Sequence, residues 1–480
     1  MISLLLILIP LVSGLISFGI KSESFVRLAN ILASFVSLFF MLGLSFALFP
    51  ASEKVFEVEW LSQLGASFSL KMDGVSSVLC LLTTFTFPLI LGSVNKGQYH
   101  QPHIFYALMM LAYAGIMGVF LAADGLLFYF FWELALIPVY FLCSMWGGEK
   151  RVAVTFKFFL YTFIGSLLML AGMIYLYYQT PDHSFSLNSI YQTSIAGPYQ
   201  SLLFWLFFVA FAIKMPVFPF HTWQPDTYEQ SATPVTMILS ALMVKMGLFG
   251  VIRWLLPVFP QASAIFADTV IILSVIGMIY ASILAMKQDD LKRLIAYSSI
   301  AHIGLMSASL FVPNANALQG AMIQLFSHGV NVLGMWLVIE WIEARTGTRK
   351  MSELGGLAQK APVLTILLVV IALANVALPL TNAFVGEFMM FNGMFKYNWI
   401  YAAVGGLSII LGAVYTLRMI QKVFYGELSA KTAAISGDVG SGIKWALIIL
   451  IPVVLVFGVY PKPLLDMVQD SVQFLLTKGK

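Results

Sequence analysis

Long apolar runs alternate with short polar intervals along the whole chain, and within the runs the apolar residues are continuous rather than every second position. A helix crossing a bilayer takes about 20 residues. Fourteen runs meet that length, at about 2–20, 27–50, 74–94, 104–122, 124–146, 152–178, 200–223, 232–256, 264–286, 292–312, 315–341, 362–395, 399–424 and 441–461. A transmembrane barrel would instead show short segments alternating apolar and polar. The pattern therefore predicts an all-α polytopic membrane protein. The longer polar intervals, 51–73, 179–199, 342–361 and 425–440, leave no room for a soluble domain. From Pro463 the tail LLDMVQDSVQFLLTKGK reads as an amphipathic interfacial helix. The opening MISLLLILIPLVSGLISFGI has no basic leader and reads as a retained first span.

Composition sharpens the picture. Hydrophobic residues make up 60% of the 480 residues and charged ones 10%, against about 25% charged in a soluble domain. A soluble enzyme, a disordered chain and a secreted disulfide scaffold are excluded. The net charge of +4 includes no basic tail that would suggest nucleic acid. Cys80 and Cys143 both lie inside apolar runs, and no CxxC, GxGxxG or P-loop is present. Nothing in these patterns points to a metal or nucleotide held by this chain.

Lys and Arg orient the spans. Seventeen of the 26 fall in loops after odd-numbered spans and four (Lys54, Lys71, Arg253, Lys396) after even-numbered ones. By the positive-inside rule the odd loops face the cytoplasm, and both termini face the periplasmic or equivalent side.

Four charges sit where a bilayer penalises them. Glu133 lies nine residues past Asp124, about 14 Å deep at about 1.5 Å per residue. Lys214, Lys245 and Glu387 are also deep in their runs. Each costs roughly 2.5–3.5 kcal/mol on insertion scales, which marks a functional group or a buried pair. His302 and His328 lie near the middle of consecutive spans, where imidazole suits a proton relay. Two histidines on different helices could alternatively clamp a haem iron.

Helix breaks accompany the charges. Pro216 and Pro219 follow Lys214, and Pro379 precedes Glu387. Proline breaks inside a membrane survive only in protein-lined or wet surroundings. Two breaks five spans apart suggest two five-helix units of inverted topology, because five is odd. The expected organisation is helices 1–3 in 1–103, a first unit in 104–257, a second in 258–424, and a last helix with the amphipathic tail in 425–480.

Several runs now resemble one family. FWELALIP, KMPVFPFHTW, LMVKMG, DDLKRLIAYSSIAHIG, AMIQLFSHG and NAFVGEF are similar to the antiporter-like proton-pumping subunits of respiratory complex I (NADH:quinone oxidoreductase) and to Mrp antiporter subunits. The resemblance covers roughly 75–425. It implies inverted five-helix repeats with broken helices seven and twelve, and a proton path through Glu133, Lys214, Lys245, His302, His328 and Glu387. Most relatives carry Lys where Glu387 stands, which points within the family to the M type. Such a subunit would hold no cofactor itself; NADH, flavin, iron–sulfur clusters and quinone would belong to partner subunits, with the L and N types as neighbours. The path would switch at a Glu133–Lys214 ion pair. A Na⁺/H⁺ antiporter subunit of the Mrp kind is the alternative. Two stretches depart from the family pattern: QPDTYEQSATP replaces LPDAHTEAP, and LPLTNAF replaces LPGT, putting Leu380 where glycine is commoner.

Overall fold

The computed structural model describes residues 1–46 and 48–478. Its helices are α1 (Ile2–Ser17), α2 (Glu23–Ser45), α3 (Gly74–Ser93), α4 (Pro102–Leu121), α5 (Gly125–Met145), α6 (Arg151–Gln179), the short α7 (Leu187–Gln192), α8 (Gly197–Lys214) and α9 (Trp223–Gln230). There follow α10 (Thr233–Ile238), α11 (Val244–Gly250), α12 (Pro260–Lys287), α13 (Leu291–Leu310) and α14 (Ala315–Thr346). The chain ends with α15 (Leu357–Lys360), α16 (Pro362–Asn375), α17 (Asn382–Tyr397), α18 (Trp399–Val423), α19 (Ala430–Ala433), α20 (Ser441–Val459) and α21 (Lys462–Lys478).

Among the described residues, eleven segments are long and apolar enough to span a bilayer, and α1 and α16 are shorter apolar helices. The polytopic all-α fold is as expected. Burial orders the bundle: Thr233–Leu255 and α14 are enclosed along their apolar length, whereas α18 and α20 present most of their surface outward. Lipid is as apolar as leucine, so the outward faces need no protein cover; the enclosed Thr233–Leu255 and α14 carry the buried Lys245 and His328.

Two local structures depart from the plain helical pattern. The interval 51–73 contains an antiparallel hairpin, β1 (Val55–Leu61) against β2 (Ala66–Lys71), with an irregular register between Glu59 and Leu61. Its β-branched and aromatic residues favour the pleat, but the stretch is too short to stand out among the spans. Thr233–Leu255 is not a plain helix either, because Leu239–Met243 and Val251–Leu255 are π-helical turns. Arg253, assigned to a loop by charge counting, lies in the second of these turns, 4% exposed and paired with Asp73.

The tail forms the expected amphipathic helix. In α21 Leu464, Val468, Val472 and Leu475 are buried, a stripe spaced by three and four residues along one face. The helix packs on α3 and α14.

Candidate proton path

Each helix break is closed by a donor from elsewhere. Proline has no N–H to give, so Pro216 cannot bond the Ala212 carbonyl; the Val217 N–H bonds it at 3.0 Å instead and leaves the Ile213 carbonyl without its helical partner. Trp223 donates its indole N–H to the Ile213 carbonyl at 2.9 Å. Lys214 is therefore the last residue of α8, where a cation complements the helix dipole. At the second break α16 ends at Asn375 and α17 starts at Asn382. Asn331 of α14 donates to the Ala374 carbonyl at 3.2 Å, and the Thr381 hydroxyl donates to the Leu378 carbonyl at 2.7 Å. Leu380 takes a left-handed φ of 72°. A side chain adopts this conformation at a cost that glycine avoids, which accounts for the commoner glycine in the family pattern.

The six charged and histidine residues fall into two groups. Lys245 donates to the Ser240 carbonyl at 2.7 Å and lies 2.9 Å from His328 Nδ1. Ser240 belongs to the π-turn before Lys245, so the widened helix presents its carbonyl to the ammonium. The other ring nitrogen of His328 lies 3.4 Å from Ser299 Oγ. The His328 and His302 rings are 5.6 Å apart between centroids. His302 Nδ1 is 3.1 Å from Glu387 Oε1, which also accepts from Gln324 Nε2 at 3.3 Å. Gln324 gives no signal in the sequence, where it is a neutral amide inside an apolar run. The approach of α14 to α17 depends on glycine, since a Cβ on Gly386 would sit 2.5 Å from Gln324 Oε1.

The second group is open. No ion pair within 4.0 Å joins Glu133 to Lys214 among the described residues. Lys214 Nζ has no protein hydrogen-bond partner and sits 5.4 Å from the Trp132 ring centre, and Glu133 Oε1 is also unpartnered. Lys214 therefore has no hydrogen bond toward Lys245 either. A cavity beside Glu387, His302 and Tyr415 measures about 20 Å³, room for one water molecule. His302 Nδ1 and His328 Nδ1 face Glu387 and Lys245, an arrangement for proton exchange rather than for clamping an iron between the rings.

Two larger cavities lie among the loops. One of about 600 Å³ is lined by odd-loop residues including Glu229 and Arg349, by Lys292 at the start of α13 and by Glu340 near the end of α14. Around it Lys292 pairs with Glu343 at 2.8 Å, and Arg293 with Glu229 at 2.8 Å and Asp226 at 3.1 Å. The other, about 540 Å³, is lined by even-loop residues including Lys71 and Asn188, by Arg253 of the second π-turn and by Asp466 of the tail. Odd-loop and even-loop residues thus gather at separate cavities.

Residues 122–412 match the family described as NADH:quinone oxidoreductase/Mrp antiporter, TM. The chain belongs to this family. The NADH-quinone oxidoreductase subunit M of Rickettsia conorii is 38% identical over 436 residues, 89% of this chain and 87% of that protein. The subunit M of Escherichia coli K12 is 34% identical over 485 residues, covering 96% and 95%. A chain of respiratory complex I from Thermus thermophilus superposes with a TM-score of 0.91 at 28% identity, over 99% of this chain and all of that one. A chain of the Mrp complex from Dietzia sp. shares the fold, with a TM-score of 0.85 at 23% identity over all of this chain and 52% of its own length. The fold of the family member described here is thus common to complex I and antiporter assemblies.

Proposed function

We propose that this chain is the M-type proton-translocating membrane subunit of a bacterial NADH:quinone oxidoreductase, in the plasma membrane with odd loops cytoplasmic and both termini on the other side. It holds no redox group; NADH, flavin, iron–sulfur clusters and quinone are handled by sister subunits, and antiporter-like L and N subunits are its lateral neighbours. Residues 104–257 and 258–424 are its two inverted five-helix units, set between 1–103 and 425–480.

One observation carries the reading: Lys245, His328, His302 and Glu387 follow one another through the interior of the bundle, two steps at hydrogen-bond distance and one between neighbouring rings. The Lys245 ammonium gives a proton to His328 Nδ1. Imidazole accepts on one nitrogen and releases from the other, so the proton crosses the ring and continues to His302. His302 delivers it to Glu387, whose carboxylate is held by Gln324 and faces the one-water cavity. Glu133 and Lys214 act as the switching pair at the first break. In the open arrangement Lys214 is balanced by the Trp132 face rather than by a carboxylate.

The test is NADH-driven proton uptake in inverted vesicles, read by quinacrine quenching and normalised to complex content on native gels. His328→Ala should abolish uptake with assembly retained. Wild-type uptake by His328→Ala would overturn the path.

A further inference from the structure

His302 on α13 meets Glu387 on α17 at 3.1 Å, and α17 begins at the second helix break. A broken helix lacks the backbone hydrogen bonds that would fix its two halves relative to each other. The position of Glu387 is therefore set by whatever holds the break.

Five buried, uncharged side chains surround it: Ser298, Ser327, Asn331, Asn375 and Asn382. On α14, Ser327 and Asn331 are four residues apart and share a face. Asn331 Nδ2 donates to the Ala374 carbonyl at the end of α16 at 3.2 Å. Ser327 grips the start of α17 twice. Its Oγ donates to the Asn382 carbonyl at 3.2 Å, and its own carbonyl accepts from Asn382 Nδ2 at 3.4 Å. Both ends of the break are thus fastened to one face of α14. The same seam is tight farther along α17, where a Cβ on Gly320 would lie 2.8 Å from the Gly386 carbonyl. The end of α16 is also fastened to α13. Asn375 Nδ2 donates to Ser298 Oγ at 3.5 Å, and Tyr415 of α18 donates to the same oxygen at 2.9 Å. Ser298 lies one turn before His302 on α13.

These contacts close a circuit. It runs from His302 to Glu387, back along α17 to Asn382 and across to Ser327. One turn of α14 leads to Asn331, which reaches Ala374; Asn375 then reaches Ser298, and one turn of α13 returns to His302. We propose that Ser298, Asn331 and the Ser327–Asn382 pair are positioning residues, a closed frame across the second break that fixes the distance over which His302 hands its proton to Glu387. The frame rests on the proton path proposed above. None of its members takes up or releases a proton; the proton moves from imidazole Nδ1 to carboxylate Oε1, and no electrons are transferred. A closed frame behaves differently from a set of independent contacts. Once opened at one joint it is open, so a second cut adds little.

The experiment uses the whole complex in inverted vesicles, with proton uptake normalised to complex content on native gels. Ser298→Ala opens the joint between α13 and α16, and Asn331→Leu opens the joint between α14 and α16 while keeping the side-chain size. Each should lower uptake about tenfold, within the roughly 10²-fold loss that a displacement of 1 Å can cause. Each should also slow more in D₂O than the wild type does, because the misaligned transfer becomes limiting. The double variant should pump about as slowly as either single one. Independent contacts would instead multiply their losses to about a hundredfold. That product, or wild-type uptake by either single variant, would overturn the frame and leave the path standing. If the double variant fails to assemble, the single variants decide through D₂O, and slowing equal to that of the wild type overturns the frame. Glu387→Gln is measured alongside: wild-type uptake by that variant would overturn the path itself.

Discussion

Replacing Glu387 by Gln separates carrying a proton from holding the structure. Glu387 Oε1 meets His302 Nδ1 at 3.1 Å and Gln324 Nε2 at 3.3 Å. A glutamine oxygen can accept at the same place, so both contacts survive geometrically. They lose their charge assistance, a change of about 1 kcal/mol each between charged and neutral hydrogen bonds. Against a domain stability of about 5–15 kcal/mol that leaves the fold and the assembly intact. The chemistry does not survive, because an amide cannot take up and release a proton at the working pH. Losing a positioned acid–base group costs about 10²–10⁴ in rate, so quinacrine quenching per unit of complex should drop to background. Glu387→Lys is the informative companion. An ammonium cannot accept from Gln324 Nε2, but Gln324 Oε1 has no partner in the protein. Turning the amide over therefore gives the introduced lysine an acceptor at little cost. That lysine can titrate, so the variant should pump better than the Gln variant. A Gln variant that pumps like the wild type would refute proton transfer through Glu387. A Lys variant worse than Gln would refute the argument that any titratable group suffices there.

Other outcomes follow from the same geometry. Glu133→Ala should stop most proton uptake while leaving complex content on native gels unchanged, since no ion pair is broken in the open arrangement; Glu133→Asp should be milder, and unimpaired uptake by the Ala variant would exclude a role in switching. Gly458→Ala would put a Cβ 2.2 Å from the Leu380 carbonyl, an overpacking cost of about 1–3 kcal/mol. Its complex should melt at lower temperature, whereas Gly406→Ala, with open space around its Cβ position, should not. Leu380→Gly relieves the left-handed φ of 72° and should stabilise the break by about 1 kcal/mol, seen as a higher melting temperature; a lower one would mean that the leucine side chain holds the break more than its backbone strains it.

The buried charges were legible in the sequence because depth in a helix is simply residue count, and a membrane allows few reasons for a charge at that depth. Lys245, His328, His302 and Glu387 could be named from their runs, and the structure brings them into line. What ordered them was not legible. The 2.9 Å approach of Lys245 to His328 joins residues 83 apart, and no periodicity carries that information. Gln324 bears no such mark, because a neutral amide in an apolar run looks like a tolerated polar residue until its partner is seen. The hairpin at 55–71 is hidden by its brevity, and the π-turns by helical propensities that do not distinguish them from α-helix. Arg253 shows where charge counting stops: it lies near a loop in sequence but is enclosed by Asp73, Ser76 and the Phe249 ring in space.

The level at which the proposed relay lies has an electrical consequence. Lys245, His302 and His328 sit near the middle of their helical segments, and Glu387 near the start of α17 just past a mid-membrane break. A charge that travels sideways at one depth crosses almost none of the transmembrane voltage, whereas one crossing the whole bilayer works against about 2.3 kcal/mol per 100 mV. On the proposed path, transverse steps among these four residues would therefore run at a rate set by local geometry, whatever the energisation of the membrane. All of the sensitivity to voltage would be left to the legs that join this plane to the two surfaces, and back-pressure from a fully charged membrane would act on those legs alone.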